Sequence, residues 1–439
     1  MNFKIIAGVL LIGILLFGCT SKMVECGDSY CDTSIETQDN CCSDCNCSSR
    51  YTCQNNVCVE LVPDIKVIST NISTQSAAQL RSIGNSLDIC IKNEGNHLAK
   101  NIKIEVSSPS NYFGDVVIDG KSLGINESNC YGAKLSFYDS VLSIVSPTQV
   151  QGSITGSYIN SIGKQFEIKD SFTFNINGKN YYTGGYDNIS SISLYITPDQ
   201  PSIRQFASRS TGGLATYSSS IEQLLAAKWI FANMRTYGVK YTSDAHVSAD
   251  YFEFPYDTLK NKGGDCEDNA ILFASMLEAI GMTSVIVIVP GHAYSGYVNK
   301  EGNIVPVETT AATSDQMFQA TIPQDAIIIY PSKEWSNYPQ VIIPETSELP
   351  MPAISKQKGD CEINWNFQDG YYVSAPIRYT NTGNAPGAGC TALIVVDNKN
   401  KLLGSDLKCL LVNPGQTIDI DYIYDITMSD TSGASCLVI

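Results

Sequence analysis

A cysteine, a histidine and a glutamate in the central part of the chain have the types and the order needed for nucleophilic chemistry. Cys266 supplies a thiol, His292 an imidazole that could take its proton, and Glu308 a carboxylate that could orient the imidazole. A thiol activated in this way attacks a carbonyl carbon and forms an acyl-enzyme. The chain has only three histidines, so few imidazoles can partner the thiol.

The stretch around Cys266 predicts a helix that begins just before the thiol. Asp265 is a good N-cap residue, and apolar residues then recur at helical spacing until Gly281, a favourable residue after a helix end. In the first turn, backbone N–H groups and the helix dipole favour a thiolate and could hold an oxyanion. Glu267 and Asp268 oppose the thiolate, so the sulfur requires a cationic partner.

Strand patterns after this helix would carry the other two residues. A strand over 285–289 leads through a Pro-Gly turn to His292, and a strand over 304–307 runs back antiparallel and delivers Glu308. A helix packed against the first of these strands would bring His292 alongside Cys266. The elements therefore predict an α+β unit that assembles the three side chains.

These residues resemble the transglutaminase-like superfamily of papain-type folds. The resemblance implies Cys266 as nucleophile, His292 as general base and Glu308 in the orienting position, with no cofactor or metal required. Glu308 stands where the family usually has Asp, and Tyr294 where it often has Trp. The family's upstream oxyanion side chain is not identified in this sequence. The matching segments are Gly264-Asp265-Cys266-Glu267-Asp268-Asn269-Ala270, Ile280-Gly281-Met282, His292-Ala293-Tyr294 and Glu308-Thr309.

Less specific interpretations of the same residues stay open. Cys266 could be an inert buried thiol, since free cysteine is among the most buried residue types. His292 could be a hydrogen-bonded structural histidine, and Glu308 a solvated carboxylate at a strand end. A transglutaminase-like domain can also persist as a binding module without chemistry.

The cysteine count singles out Cys266. An exported chain so rich in cysteine implies disulfides, and the other cysteines, apart from Cys19, fall into three even groups along the sequence. Cys266 is then the unpaired thiol. Metal binding by the cluster at 41–47 is the alternative for the first group. The groups are Cys26, Cys31, Cys41, Cys42, Cys45, Cys47, Cys53 and Cys58; Cys90 and Cys130; Cys361, Cys390, Cys409 and Cys436.

The N-terminus predicts export. Residues 1–19 comprise a lysine, an uncharged and mostly apolar run, and a Leu-Phe-Gly-Cys ending that resembles the prokaryotic lipobox, with Cys19 as the lipidated residue. We therefore expect a lipoprotein on the outer face of the cytoplasmic membrane, an uncleaved signal anchor being the alternative. The formal net charge of -16 disfavours nucleic acid as a partner.

Composition and turn patterns divide the remainder into modules. The predicted fold class is a multidomain protein with an α+β, transglutaminase-like (papain-like) central domain flanked by Ig-like β-sandwiches. The predicted segments are a Cys-rich disulfide module over 20–60, a β-sandwich over 62–192, the central domain over 200–320, an extended Pro-rich connector along the surface over 321–356 and a second sandwich over 357–439.

Two functions fit these expectations. The first is a surface cysteine hydrolase or acyltransferase that acts on amide bonds of a protein or peptide substrate. Water as the acyl acceptor would give proteolysis or deamidation, and an amine would give cross-linking. The second is a membrane-tethered adhesion or scaffold protein whose modules present a binding surface.

Overall fold

The computed structural model describes residues 26–182, 186–212, 219–243, 251–313, 316–366, 370–399, 402–426 and 433–439. Within these ranges, no helix combines the length and the apolar character needed to cross a bilayer. The predicted export signal and Cys19 lie outside the described residues. The described chain is mostly β-sheet with few helices, and it begins with a disulfide-rich segment.

Four disulfides cross-link the N-terminal segment, which has almost no apolar core. They close loops of 11 to 15 residues. Such cross-links stabilise the folded segment mainly because they restrict the unfolded chain. All eight cysteines of the group are paired in this way, so the metal-binding alternative has no free thiol here. The elements are α1 Cys42–Cys45 and the antiparallel strands β1 Tyr51–Gln54 and β2 Val57–Glu60.

Two β-sheets follow, one of three strands in the order β3-β5-β8 and one of five in the order β4-β10-β9-β6-β7. Buried apolar residues alternate with more exposed residues along the strands, and the buried ones form the inner faces of the sheets. In β5, for example, Leu87, Ile89 and Ile91 are fully buried while their neighbours are more exposed. All pairs are antiparallel, as predicted, except β4 with β10. The elements are β3 Ile65–Ile72, β4 Gln75–Ser76, α2 Ala77–Ile83, β5 Asn85–Asn93, β6 Lys100–Ser107, β7 Val116–Asp119, β8 Ser128–Leu135, the 3₁₀ helix η1 Asp139–Ser143, β9 Thr148–Ile159 and β10 Gln165–Asn177.

The central region places helices against a four-stranded antiparallel sheet in the order β15-β14-β13-β16. Helix α6 packs on β13 and β14, and its residues from Asp268 to Leu277 are buried. The elements are η2 Tyr186–Tyr195, α3 Pro201–Ser210, α4 Ser220–Tyr237, β11 Lys240–Tyr241, α5 Pro255–Asn261, β12 Gly263–Gly264, α6 Cys266–Ala279, β13 Ser284–Val289, β14 His292–Val298, β15 Ile304–Val307, β16 Ile327–Ile329 and α7 Pro331–Glu334.

The first two-sheet region and the central region share one hydrophobic core. Buried residues of both regions, such as Ile89, Tyr195 and Phe273, belong to a single contact cluster. Tyr195 lies at the junction, where its ring meets Phe252 and Phe254. Apolar side chains of the two regions therefore pack against one another in one core.

The Pro-rich segment is more than the surface connector that its proline content predicts. Ile327–Ile329 forms β16, which pairs with β13 and completes the central sheet. Val341, Ile343 and Leu349 are buried in the shared core. The reason is that apolar residues alternate between the prolines, so the extended chain can still bury one side.

The C-terminal region has two further sheets with a separate core between them. A small apolar cluster joins this region to the rest: Leu225 and Trp229 of α4 pack on Ala388 and Ala392. The strands are β17 Ile354–Lys358, β18 Glu362–Asn366, β19 Gly370–Asn381, β20 Gly387–Val396, β21 Leu402–Val412, β22 Thr417–Ile426 and β23 Ser435–Val438.

The disulfide pattern confirms the prediction made from the cysteine count. The described residues form seven disulfides, and each disulfide joins two cysteines of the same predicted group: four in the first group, one in the second and two in the third. Cys266 is the free cysteine of the described residues.

Candidate active site

Cys266 is the first residue of α6, and the local sequence explains why the helix begins there. Asp265 is the N-cap, and its side chain accepts a hydrogen bond from the Asp268 N–H while the Asp268 carboxyl accepts one from the Asp265 N–H. Gly264 is required before them, because a Cβ at this position would collide with the Asp268 side chain. The thiol is thus held at a well-defined helix start and is only partly buried.

The sulfur of Cys266 has two neighbours. The thiol donates a hydrogen bond to Glu267 Oε2 at 2.9 Å, and the backbone N–H of Ala293 lies near enough to lower the pKa of the thiol. Burial, followed by the Glu267 carboxylate, raises the pKa of Cys266 to about 12 despite the Ala293 contact. In this arrangement the protonated thiol is favoured, because desolvation and a like charge oppose the thiolate more strongly than the helix dipole favours it.

His292 and Glu308 form the second half of the site. His292 Nε2 lies 2.9 Å from Glu308 Oε2, and both side chains are partly exposed. Glu308 Oε1 also accepts hydrogen bonds from the N–H and the hydroxyl of Thr310. Burial alone would raise the pKa of Glu308, but the bonds from Thr310 and His292 hold it below its ordinary value.

The ionised Glu308 determines the tautomer of the imidazole. A carboxylate only accepts hydrogen bonds, so Nε2 carries the proton and a neutral His292 presents the lone pair of Nδ1 to other groups. This nitrogen is the one that could accept a thiol proton.

The Cys266 sulfur lies near the Ala293 backbone at the beginning of β14, and His292 is the preceding residue of that strand. Ala293 packs in the core with α6, whereas the His292 ring lies 5.8 Å from that of Tyr294, which belongs to the cluster on the other face of the sheet. Alternation along the strand therefore places the His292 and Tyr294 side chains on one face of the sheet and Ala293 on the face that packs on α6. Among the described residues, no hydrogen bond joins Cys266 to His292, since the thiol bonds to Glu267 instead.

Asp268 adds a buried carboxyl next to the nucleophile. Its side chain is 1 % exposed and accepts hydrogen bonds from the N–H groups of Glu253 and Asp265. Burial, together with the charges of Glu253 and Glu267, raises its pKa to about 8. The start of α6 is thus crowded with carboxyl groups.

Asp265, Cys266 and Glu267 bring three possible ligand atoms within 4.8 Å of one another. The other such groups in the described part of the chain contain disulfide sulfurs. A metal ion near the site would therefore have to bind the same sulfur that the predicted chemistry uses.

Sequence reasoning missed one residue of this site, Arg235 of α4. Its guanidinium donates hydrogen bonds to the carbonyls of Val239 and Thr309 and to Asn269 Oδ1. No local motif marks it, because Arg235 lies 31 positions before Cys266 and acts through backbone atoms.

No protein family model and no curated protein matches the chain. Solved structures overlap with it at low similarity. The ApaA protein from Bordetella pertussis is 13% identical, with 27% of this chain and 96% of that chain covered and a TM-score of 0.20. Red sea bream transglutaminase is 10% identical over 82% of this chain and 79% of its own, with a TM-score of 0.19. An Escherichia coli alpha-2-macroglobulin fragment is 8% identical over 83% and 94%, with a TM-score of 0.20.

Proposed function

We propose that this chain is a surface-anchored, transglutaminase-like cysteine hydrolase or acyltransferase that acts on amide bonds of proteins or peptides. The observation that supports it is the His292–Glu308 pair at 2.9 Å, in which His292 directly precedes Ala293, whose backbone N–H acts on the Cys266 thiol. This pair leaves Nδ1 of the imidazole available as a proton acceptor.

The reaction requires the Cys266 side chain to turn from Glu267 toward His292. The thiol proton passes to Nδ1 while the sulfur attacks the carbonyl carbon, and backbone N–H groups at the first turn of α6 stabilise the oxyanion. The imidazolium then protonates the leaving amine, the C–N bond breaks, and the acyl group stays on sulfur as a thioester. Water or an amine releases the acyl group and returns the proton to sulfur through His292.

Alkylation of Cys266 tests the activation of the thiol. We expect iodoacetamide to label Cys266 at neutral pH about 100-fold faster in the wild-type protein than in His292→Ala, the lower end of what a positioned base contributes. His97→Ala, in the first two-sheet region, is the matched control and should label like the wild type. Labelling that does not depend on His292 would contradict the proposal.

A second measurement tests the acyl-enzyme itself. Incubation with an activated acyl ester should add one acyl group to the intact protein, and Cys266→Ala should abolish the adduct. Folding of each variant is checked by circular dichroism.

A non-catalytic binding or scaffold protein is the second candidate, because the hydrogen bond to Glu267 and a pKa of about 12 describe a protonated thiol. A binder would keep its ligand in Cys266→Ala and would form no acyl adduct. An enzyme would lose turnover in the same variant.

The anchoring part of the proposal depends on the lipobox-like segment that ends at Cys19. Lipidation predicts a membrane-bound protein whose mature N-terminal peptide carries acyl chains. Mass spectrometry of this peptide, compared with Cys19→Ser, tests it. An uncleaved and unmodified N-terminus would show the signal-anchor alternative instead.

A further inference from the structure

Arg235 connects two loops that are far apart in the sequence. It lies in the last turn of α4, and one of its terminal nitrogens donates to the carbonyl oxygen of Thr309, the residue after Glu308. The other terminal nitrogen donates to the Val239 carbonyl at 2.8 Å and to Asn269 Oδ1 at 3.4 Å. The guanidinium thus reaches the acid loop and α6 at the same time.

Asn269 continues this connection to the nucleophile. It is fully buried, and its Nδ2 donates to the carbonyls of Gly264 at 2.8 Å and Asp265 at 2.7 Å. These two residues immediately precede Cys266. A chain of hydrogen bonds therefore runs from the backbone beside Cys266, through Asn269 and Arg235, to the backbone beside Glu308.

We propose that Arg235 is a positioning residue. Together with Asn269 it fixes the Glu308 loop relative to the Cys266 loop and so sets the position of the His292 imidazole relative to the sulfur. This inference rests on the proposed function. Arg235 touches neither Cys266 nor His292 in the contacts above, so its effect must pass through Glu308 and the two loops.

The site explains why the residue is an arginine. A planar fork can donate to the Thr309 carbonyl from one nitrogen and to Val239 and Asn269 from the other, whereas a lysine ammonium is a point charge on a flexible stem. The guanidinium also stacks over Phe231, with 4.8 Å from Cζ to the ring centroid. Burial lowers the pKa of Arg235 to about 10, and the Glu308 charge acts in the opposite direction, so the residue stays cationic at neutral pH.

Helix α4, which carries Arg235, is itself held from the other side. Asn233 Oδ1 accepts a hydrogen bond from the Ala388 N–H of β20 at 2.9 Å. Lys356 lies over the ring of Trp229, one turn earlier in α4. The C-terminal sheet therefore buttresses the helix from which Arg235 reaches the site.

A double-mutant cycle separates positioning from general destabilisation. The rate of Cys266 alkylation by iodoacetamide is measured in the full chain for wild type, His292→Ala, Arg235→Met and the double variant. We expect His292→Ala to slow labelling about 100-fold in the wild-type background but less than about fivefold in Arg235→Met, because the imidazole there is no longer held for the sulfur. An equal loss in both backgrounds would overturn the inference.

Two further variants complete the experiment. Arg209→Met is the matched control, since Arg209 also donates to a backbone carbonyl, that of Pro352, but away from the site. It should leave the dependence on His292 unchanged. Arg235→Lys keeps the charge and one donor, and we expect an intermediate dependence on His292; this variant also decides the question if Arg235→Met does not fold. If His292→Ala has no effect in the wild-type background, the proposed function fails, whatever Arg235 does.

Discussion

The two halves of the candidate site differ in how far their side chains are arranged for the proposed reaction. On the strand side, His292 and Glu308 are already paired, and Thr310 holds the carboxylate from behind. On the helix side, Cys266 donates a hydrogen bond to Glu267, and burial with that carboxylate keeps the thiol protonated. The base is therefore organised before the nucleophile is.

This difference follows from which groups surround each carboxylate. Glu308 receives hydrogen bonds from neutral donors and the imidazole, which stabilise its charge and lower its pKa. Glu267 lies next to a thiol and near the carboxyl groups of Asp265 and Asp268, so its charge acts against forming a thiolate. In the proposed mechanism, activation thus requires Cys266 to exchange an acidic partner, Glu267, for a basic one, His292.

Glu308→Gln should have the largest effect, because it disturbs the side that is already organised. The new amide can donate to Nε2, which favours the tautomer with a proton on Nδ1 and removes the acceptor for the thiol proton. We expect the alkylation rate of Cys266 at neutral pH to fall about 100-fold.

The pH profile provides the check on this prediction. In the wild type, Glu308 stays ionised on acidification to below its ordinary range, because its pKa is lowered, so its own protonation should not limit labelling near neutral pH. Glu308→Gln should therefore label more slowly than the wild type throughout the range from about pH 6 to about pH 8. An unchanged rate in Glu308→Gln would mean that the paired side does not control the sulfur.

Glu267→Gln should have the opposite and smaller effect, because it disturbs the side that opposes chemistry. Replacing the carboxylate by an amide weakens the hydrogen bond that the thiol donates and removes a negative charge, and both of these raise the pKa of Cys266 in the wild type. A decrease of one pKa unit makes the thiolate about tenfold more abundant, so we expect labelling to become about tenfold faster.

Glu301→Gln is the control for this change, since Glu301 is exposed in the turn between β14 and β15. It should label at the wild-type rate. Slower labelling of Glu267→Gln would show that Glu267 assists the thiol instead of restraining it.

The sequence was sufficient to predict features that depend on local residue types. Asn93 and Asn381 show how local residue types determine local structure, because each begins a similar Asn-rich turn and each is fully buried. In each, Oδ1 accepts from the N–H two positions on, and Nδ2 donates to the carbonyl four positions on. The partners are Gly95 and His97 for the first, and Gly383 and Ala385 for the second.

The features that escaped prediction depend on rotamers and on contacts distant in the sequence. Cys266 donates its hydrogen bond to Glu267, a choice of partner that no spacing rule encodes. Arg235 acts on the carbonyl of Thr309, 74 positions away, so its neighbours in the sequence do not reveal its role. The pairing of β16 with β13 was likewise hidden by prolines around a short run of isoleucines.

Asp268→Asn should have the smallest effect, and its effect should be on stability. It tests whether the helix side of the site carries an electrostatic cost that the strand side lacks. Asp268 accepts two backbone N–H groups at the start of α6, and an asparagine can accept only one of them while its NH₂ group faces the other. We expect a loss of about 1–3 kcal/mol at pH 5, where the wild-type carboxyl is largely protonated, measured as a lower Tm.

The loss should shrink as the pH rises. The folded-state pKa of Asp268 is raised from 3.8 to about 8 by burial and its acidic neighbours, so the unfolded chain ionises first and the wild-type fold loses stability between about pH 4 and pH 8. Asparagine does not ionise, so the Tm of the variant should approach that of the wild type at pH 8. Asp119→Asn, an exposed carboxyl on β7, should follow the wild-type pH dependence. A constant Tm difference from pH 5 to pH 8 would show that the start of α6 does not carry the electrostatic cost that distinguishes it from the strand side.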